Sequence, residues 1–282
     1  MTVPLISIVV PTLNQGQFIG QALASIVGQR WPHLELIVID GGSTDATSEI
    51  VSHYPVTHFV SERDSGQAEA INKGMRLARG DILAWLNSDD YYLPLAFQRI
   101  AGALGDTRQP RLVHGSCLML YEREARGVVA RAEHVERDRL ATMDLISQPS
   151  AFWTRALWER TGELTERYQF ELDWEWWLRA LDHGEFCALD EILSVYRFHA
   201  GHKTSSGSPQ RTKEIIEVVE KYAGREWAEA YRALASRLDR FHATWRVCAH
   251  RRGLWTLHQL VHASLYLRHG RKVEVAFSQL HV

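Results

Sequence analysis

Cysteine is scarce: three residues, Cys117, Cys187 and Cys248, stand far apart with no CxxC among them. An odd, scattered set gives no basis for a disulfide framework or a cysteine-based zinc site. Charge of one sign is lacking too. The 282 residues carry 32 Lys plus Arg against 34 Asp plus Glu, a formal net charge of -2. Nothing in that balance draws the chain to nucleic acid or another polyanion. No apolar stretch approaches the roughly 18 residues that span a bilayer. The opening MTVPLISIVVPT has neither a cationic start nor an apolar run long enough for a secretory signal. A reducing, cytoplasmic setting is the expectation. The common phosphate loops are also missing: there is no GxxxxGK[ST], and no GxGxxG follows the first apolar run. ATPase and NAD-dehydrogenase chemistry recede accordingly.

What is present is ordinary globular material, 45% hydrophobic and 23% charged, with an unusual ten tryptophans. Disorder is excluded by that composition. The first third alternates short β-branched apolar runs with amphipathic segments. Strands are expected at Leu5 to Val10, Leu34 to Ile39, Val56 to Val60 and Ile82 to Leu86. Helices are expected at Phe18 to Val27, Asp45 to Ser52 and Ala68 to Leu77. Such alternation predicts βαβ units and an α/β fold, a Rossmann-like, mostly parallel sheet flanked by helices. Beyond it, Leu112 to Tyr121 reads as a strand pair and Arg123 to Leu140 as polar surface. Phe170 to Leu181 reads as a helix and Ile192 to Phe198 as a strand. From Thr212 on, Pro is absent and the pattern is helical. The expected division is a catalytic domain over 1–208 and a helical C-terminal appendage over 209–282.

Polar residues gather just past each early strand, where an open α/β sheet binds its ligand. They are Pro11-Thr12-Leu13-Asn14, Asp40-Gly41-Gly42-Ser43-Thr44-Asp45, Glu62-Arg63-Asp64-Ser65-Gly66-Gln67 and Asn87-Ser88-Asp89-Asp90. Any one of them could be a turn with a helix cap. Four at one sheet edge bring several carboxylates towards a single crevice. Converging carboxylates need a cation or a hydrogen-bonded ligand, and an oxygen-rich site suits Mn2+ or Mg2+ carried with substrate phosphates.

These segments resemble a family two glycosyltransferase of the GT-A fold. The resemblance rests on SIVVPTLNQGQFIGQALASIVGQ, ELIVIDGGSTDAT, SERDSGQAEAINKGMRLARGDILAWLNSDD, QPSAFW, LDWEWWLRAL and VYRFHAGHKTS, and covers about residues 4 to 205. It implies an inverting transfer from a nucleotide-sugar donor to a hydroxyl of a glycan, lipid-linked or protein acceptor, in surface polysaccharide or glycoconjugate synthesis. Thr12, Asp40 and Asp64 would then contact base and ribose. Pro11, Asn14, Gly66, Asn87, Ser88 and Asp89 would complete the donor site. Asp90 would be the direct metal ligand, with His199 as a metal or diphosphate contact. Ser88 stands where the usual triplet is first acidic, which leaves open how many carboxylates reach the metal. Asp173 falls at the position of the catalytic base, where one carboxylate must take the acceptor proton. Glu171 and Glu175 are its rivals.

Gln148, Trp153 and Trp176 are expected on the acceptor side, the tryptophans as a stacking wall, with core packing the alternative for the rings. Lys203, Thr204 and Ser205 lie on a Gly- and Ser-rich loop that could close over the diphosphate. His258 and His262 have zincin spacing but lack the general-base Glu between them, so surface histidines are expected. Arg240 to Lys272 holds seven Lys plus Arg and no acid. That composition suits peripheral membrane contact at the inner membrane face or a homo-oligomer surface. Two other classes stay open: a noncatalytic nucleotide-sugar-binding module, and a nucleotidyltransferase on a similar sheet.

Overall fold

The computed structural model describes residues 3–203, 208–238, 241, 258 and 262–280. Two compact units are present, one of Met1–Val135 with Leu145–His202, the other of Glu136–Asp144 with Lys203–Val282.

In the first unit the expected alternation is realised. Strands β1 (Ile6–Thr12), β2 (Leu34–Asp40), β3 (His58–Ser61) and β4 (Ile82–Trp85) are joined through helices α1 (Gly16–Val27), α2 (Thr47–Val51) and α3 (Gln67–Leu77). They pair in parallel in the order β3-β2-β1-β4. A short β5 (Tyr91–Tyr92) and helix α4 (Ala96–Leu104) follow, then β6 (Arg111–Tyr121) and β7 (Arg126–Ala130). Helix α5 (Arg137–Leu140) lies in the second unit's portion of the chain. A 3-10 turn (Gln148–Ser150) then leads into β8 (Ala151–Thr154), α6 (Arg155–Thr161), α7 (Leu172–Ala180) and β9 (Glu185–Phe198). The sheet continues from β4 through antiparallel β8 to β6, β9 and β5. Most of the ladder is parallel, because β6 runs beside β9 over its whole length.

Alternate residues of a strand point to opposite faces, and the two faces have different covers. Ile6, Ile8, Val10, Ile82 and Ala84 pack with Ile19, Leu23 and Ile26 of α1 and with Phe97 and Ile100 of α4. On the opposite face α3 lies close because residue 74 is glycine: a Cβ there would stand 2.4 Å from Val9 Cγ1. Beyond α3 that face carries a cluster of tryptophans. Trp85 of β4 lies parallel to Trp177 of α7 at 5.7 Å, and Trp153 of β8 meets Trp85, Trp176 and Trp177 at 5.2, 5.0 and 5.7 Å. Trp158 of α6 stacks on Trp176 at 5.3 Å.

Several elements differ from expectation. Leu112 to Tyr121 is one long strand, and its hairpin partner β7 lies in the segment read as polar surface. β7 pairs only with β6 and is mostly exposed, so it shows little of the alternation of a half-buried strand. β9 opens seven residues before Ile192, at Glu185, because β6 holds it in parallel register from Arg111 onward.

The second unit contains α8 (Pro209–Tyr222), α9 (Arg225–Ala235), α10 (Ala263–His269) and α11 (Lys272–Leu280). Ser208 caps α8, its hydroxyl accepting from the Gln210 amide. Glu136–Asp144, read from sequence as part of the first domain, belongs with these helices. The Tyr231 hydroxyl donates to the Thr142 carbonyl, and the Asp144 amide donates to Gln279 Oε1 at 3.2 Å. His258 and His262, expected on the surface, are buried at 0% and 4% exposure against Phe241. Spacing of four residues places both on one helical face, and that face is turned inward. Thr204, Ser205 and most of Arg240 to Lys272 lie outside the described residues. Among the described residues no helix is long and apolar enough to cross a membrane.

Removing the stacked ring tests the tryptophan face. Trp177→Ala should cost about 3–5 kcal/mol of unfolding free energy, read by urea denaturation. A loss below 1 kcal/mol would show that the rings do not hold α7 to the sheet.

Candidate active site

The carboxyl ends of β1, β2 and β3 form a polar shelf whose carboxylates are spent unequally. Asp40 is completely buried at the end of β2. It accepts from the Ser43 amide at 3.1 Å, the Ser43 hydroxyl at 2.5 Å and the Ser61 hydroxyl at 2.6 Å. Asp45 accepts from the Gly16 amide and from the Thr47 amide and hydroxyl, and these bonds hold its carboxyl below the ordinary range. Asn14, with a left-handed φ of 52°, accepts the Thr44 amide on its side chain at 2.9 Å. The loops after β1 and β2 are thereby tied together.

Asp64 differs from these. Its Oδ1 accepts the Gly66 amide at 3.1 Å, while Oδ2 lies over Gly41, where a Cβ would stand only 2.9 Å away. Burial raises its pKa above the usual value, against the Gly66 hydrogen bond. Gly66 has a φ of 145° and faces Gln169 from the loop before α7. Pro11 and Thr12 are buried in β1, and Thr12 Oγ1 has no hydrogen-bond partner. A buried hydroxyl in that state, beside a polar shelf, marks a place where a ligand is expected.

Past β4 the turn Asn87-Ser88-Asp89-Asp90 divides its two acids. Asp89 is half-buried and its Oδ2 lies 3.1 Å from His199 Nε2. Asp90 turns inward, where its Oδ1 accepts the Arg197 amide at 2.9 Å and its Oδ2 is sealed without a partner. Burial, and next the negative charge of Asp89, raise the Asp90 carboxyl well above its ordinary value. Asp90, expected as the direct metal ligand, is thus the buried acid of the pair, and the acid that meets His199 is Asp89. Asn87 accepts from Gln67 Nε2 at 2.7 Å, and Ser88 is buried.

Arg197, which sequence reasoning passed over, supports this turn from β9. Its guanidinium lies over Phe18 and Tyr91 and reaches Gln21 and Glu122. Its signal was an arginine set within the apolar run Val195-Tyr196-Arg197-Phe198.

Asp173 occupies the first turn of α7, half-buried, its Oδ1 accepting the Trp174 amide at 2.8 Å. The rival Glu175 is buried and ion-paired with Arg179 at 2.9 Å. Arg179 in turn donates to the Thr161 and Glu163 carbonyls. That network makes Glu175 a brace, and Glu171 is only 4% exposed. The three acceptor-side candidates need correction. Trp153 and Trp176 are 0% exposed and lie inside the tryptophan face, so no sugar can stack on them. Gln148 is buried as well, its Nε2 donating to the Trp85 carbonyl at 2.9 Å.

Among the described residues no group of three or more His, Cys, Asp or Glu is gathered as a ready metal cage. Asp89 nonetheless suits Mn2+ or Mg2+, which commonly take one or two carboxylates and complete their shells with substrate phosphates.

Residues 7–144 match the family described as Glycosyl transferase family 2. A PGL/p-HBAD biosynthesis glycosyltransferase of Mycobacterium tuberculosis is 30% identical over 189 residues, which cover 65% of this chain and 72% of that protein. The mannosyltransferase PcManGT from Pyrobaculum calidifontis, solved with GDP-Man and Mn2+, superposes with a TM-score of 0.64 at 18% identity, covering 100% of this chain and 88% of that one. TarS of S. aureus, solved with UDP-GlcNAc, gives 0.61 at 18% identity over 98% of this chain and 91% of that one. At such identities the structural likeness is one of fold.

The unequal use of the aspartates is testable by denaturation. Asp40→Ala, which strands three partly buried donors, should lose about 1–3 kcal/mol. Asp64→Asn, at a half-exposed position, should stay within about 1 kcal/mol of the parent. Equal losses would remove the distinction between the structural acid and the open one.

Proposed function

The chain belongs to glycosyl transferase family 2, and on that premise we propose that it catalyses an inverting, metal-assisted sugar transfer from a nucleotide-diphosphate donor to a hydroxyl acceptor. One observation carries the reading. Trp177, one turn beyond Asp173, stacks on Trp85, which stands two residues before Asn87. The helix start bearing the proposed base is thus tied to the strand end bearing the proposed diphosphate site.

The nucleoside is assigned to the shelf after β1, β2 and β3, at Thr12, Asn14, Asp64 and Gly66, with Asp40 bracing it from beneath. The diphosphate is assigned to Asn87–Asp89. Asp89 would hold a divalent cation together with phosphate oxygens, and the cation would stabilise negative charge on the departing diphosphate. Asp173 takes the proton of the acceptor hydroxyl as its oxygen attacks the anomeric carbon from the face opposite the leaving group. The bond between anomeric carbon and diphosphate oxygen breaks in the same displacement, so configuration inverts. Asp90 and Arg197 position the turn and touch neither substrate.

The acceptor is proposed as a glycan or lipid-linked hydroxyl of a surface glycoconjugate. Cys117 and Cys187 are unpaired, which suits a reducing, cytoplasmic location. Residues 209–282, helical where described, are proposed as an appendage that meets a second copy or the membrane surface, by virtue of their basic and aromatic composition.

Donor turnover tests the class: nucleoside diphosphate should be released, whereas pyrophosphate would indicate nucleotidyl transfer. Asp173→Asn should lower transfer at least about a hundredfold while UDP or GDP binding, read by calorimetry, stays near wild type. Retained activity in that variant, with activity lost in Glu171→Gln, would move the base. Asp89→Ala should abolish Mn2+ stimulation and Asp90→Asn should leave measurable Mn2+ binding. The reverse pattern would return the metal to Asp90.

A further inference from the structure

Cations of the second unit are used in two different ways. On α8 and α9 exposed ones are paired: Lys213 lies 3.8 Å from Glu217, Arg225 lies 3.1 Å from Glu229, and Arg232 meets Glu220. Around α10 the pairing stops. Arg237, Arg268 and Arg271 are exposed and make no ion pair among the described residues. Sequence offers them little to pair with, since no Asp or Glu occurs between Arg240 and Val273. Beside them stands Leu267, 87% exposed, where the next most exposed large apolar side chain among the described residues is Leu13 at 52%. Helix α10 turns Leu265 inward, at 3% exposure, and Leu267 outward. Ser264, three residues before Leu267 and four before Arg268, shares their face. Arg237 donates to the Ser264 hydroxyl at 3.1 Å, which brings a second guanidinium to it. Arg271 follows directly after the turn at Gly270, whose φ is 57°.

A leucine alone on a surface needs no explanation. A leucine flanked by three unpaired guanidiniums has the make-up of an interfacial anchor, an apolar tip with cations at headgroup level. Resting on the proposal that residues 209–282 meet a membrane or a second copy, we infer that the outward face of α10 docks on an anionic lipid surface. Leu267 enters the boundary between headgroups and acyl chains, and Arg237, Arg268 and Arg271 meet lipid phosphates. Arginine suits the place, because its apolar stem can lie along the boundary while the charged head stays at the phosphates. A second copy is the poorer occupant. A two-fold contact sets a patch against itself, so unpaired cations would face unpaired cations. A nucleic acid would satisfy the guanidiniums and leave Leu267 in water. Only a lipid surface offers phosphates and an apolar layer together. Docking there brings the enzyme to the surface on which a lipid-linked acceptor is carried.

Cofloatation of the full chain with vesicles tests the assignment, using phosphatidylcholine alone and phosphatidylcholine mixed with phosphatidylglycerol. Binding is expected to the mixed vesicles only, and should fall as added salt screens the charges. Arg268→Gln combined with Arg271→Gln should weaken it about twenty-five-fold, since each basic residue at such a surface is worth about fivefold. Leu267→Ser should weaken it about tenfold, whereas Leu267→Phe, which keeps an apolar tip, should bind like the parent. All these side chains are exposed, so the thermal midpoint should stay unchanged in every variant. Binding of UDP or GDP with Mn2+ should also stay unchanged, which separates this result from the sugar-transfer reading. Vesicle binding that survives both the Arg and the Ser substitutions would overturn the assignment to α10 and leave the broader membrane reading of residues 209–282 standing. Absence of binding to mixed vesicles at low salt would overturn the inference outright. So would a dimer, seen by light scattering, that dissociates in Leu267→Ser. Retention on single-stranded RNA by a chain that ignores vesicles would overturn it as well.

Discussion

The parallel stack of Trp85 on Trp177 is the contact on which the rest of the site depends. It joins a strand that ends two residues before Asn87 to a helix that begins one residue before Asp173. Trp153, Trp158 and Trp176 surround the pair, and each aromatic contact adds about 0.5–1.5 kcal/mol beyond burial of its area. Rings this large leave few ways to slide one element along another, because interiors are close-packed. The tryptophans therefore do not recognise sugar. They set the separation of two acids that would act on it.

A second constraint is the way acidic side chains are allotted. Asp40, Asp45 and Glu175 satisfy neighbouring donors and hold loops or helices in place. Asp90 is driven inward to the Arg197 amide, at the expense of a raised pKa. Asp64, Asp89 and Asp173 stand at half-buried positions, one at each part of the proposed donor and acceptor geometry. Carboxylates whose oxygens are taken by protein donors make stiff supports, and half-buried ones lie within reach of a ligand. The two acids after β4 thus stand in different surroundings, Asp90 turned inward to the Arg197 amide and Asp89 half-buried beside His199.

The second unit shows how chain order and packing can part. Glu136–Asp144 falls between β7 and β8 in sequence, yet Thr142 and Asp144 bond to Tyr231 and Gln279. Its polar composition carried no sign of this, since the bonds run through backbone groups that every residue possesses.

Local pattern in the sequence was enough for the first four strands, the helices between them and the ligand-bearing edge. Apolar runs and helical spacing are properties of neighbouring residues, and parallel strands buried on both faces read as continuous apolar stretches. The positions of Thr12, Asp64 and Asp89 were legible for the same reason, as polar groups at the ends of those runs, whereas Asp173 was singled out through the family resemblance. Other features depended on residues far apart in the chain. Trp153 and Trp176 could have been a binding wall or core until β4, β8, α6 and α7 came together around them. Asp89 and Asp90 are adjacent and chemically alike, and what separates them lies over a hundred residues later: β9 presents the Arg197 amide to Asp90, and His199, just past the end of β9, meets Asp89. β7 escaped notice because an exposed edge strand needs no hydrophobic period, only a partner. Sequence determined which groups are available at the sheet edge. Tertiary structure decided which of them are consumed in holding the fold and which are left to act, because a hydrogen bond spent inside the protein is no longer available to a ligand.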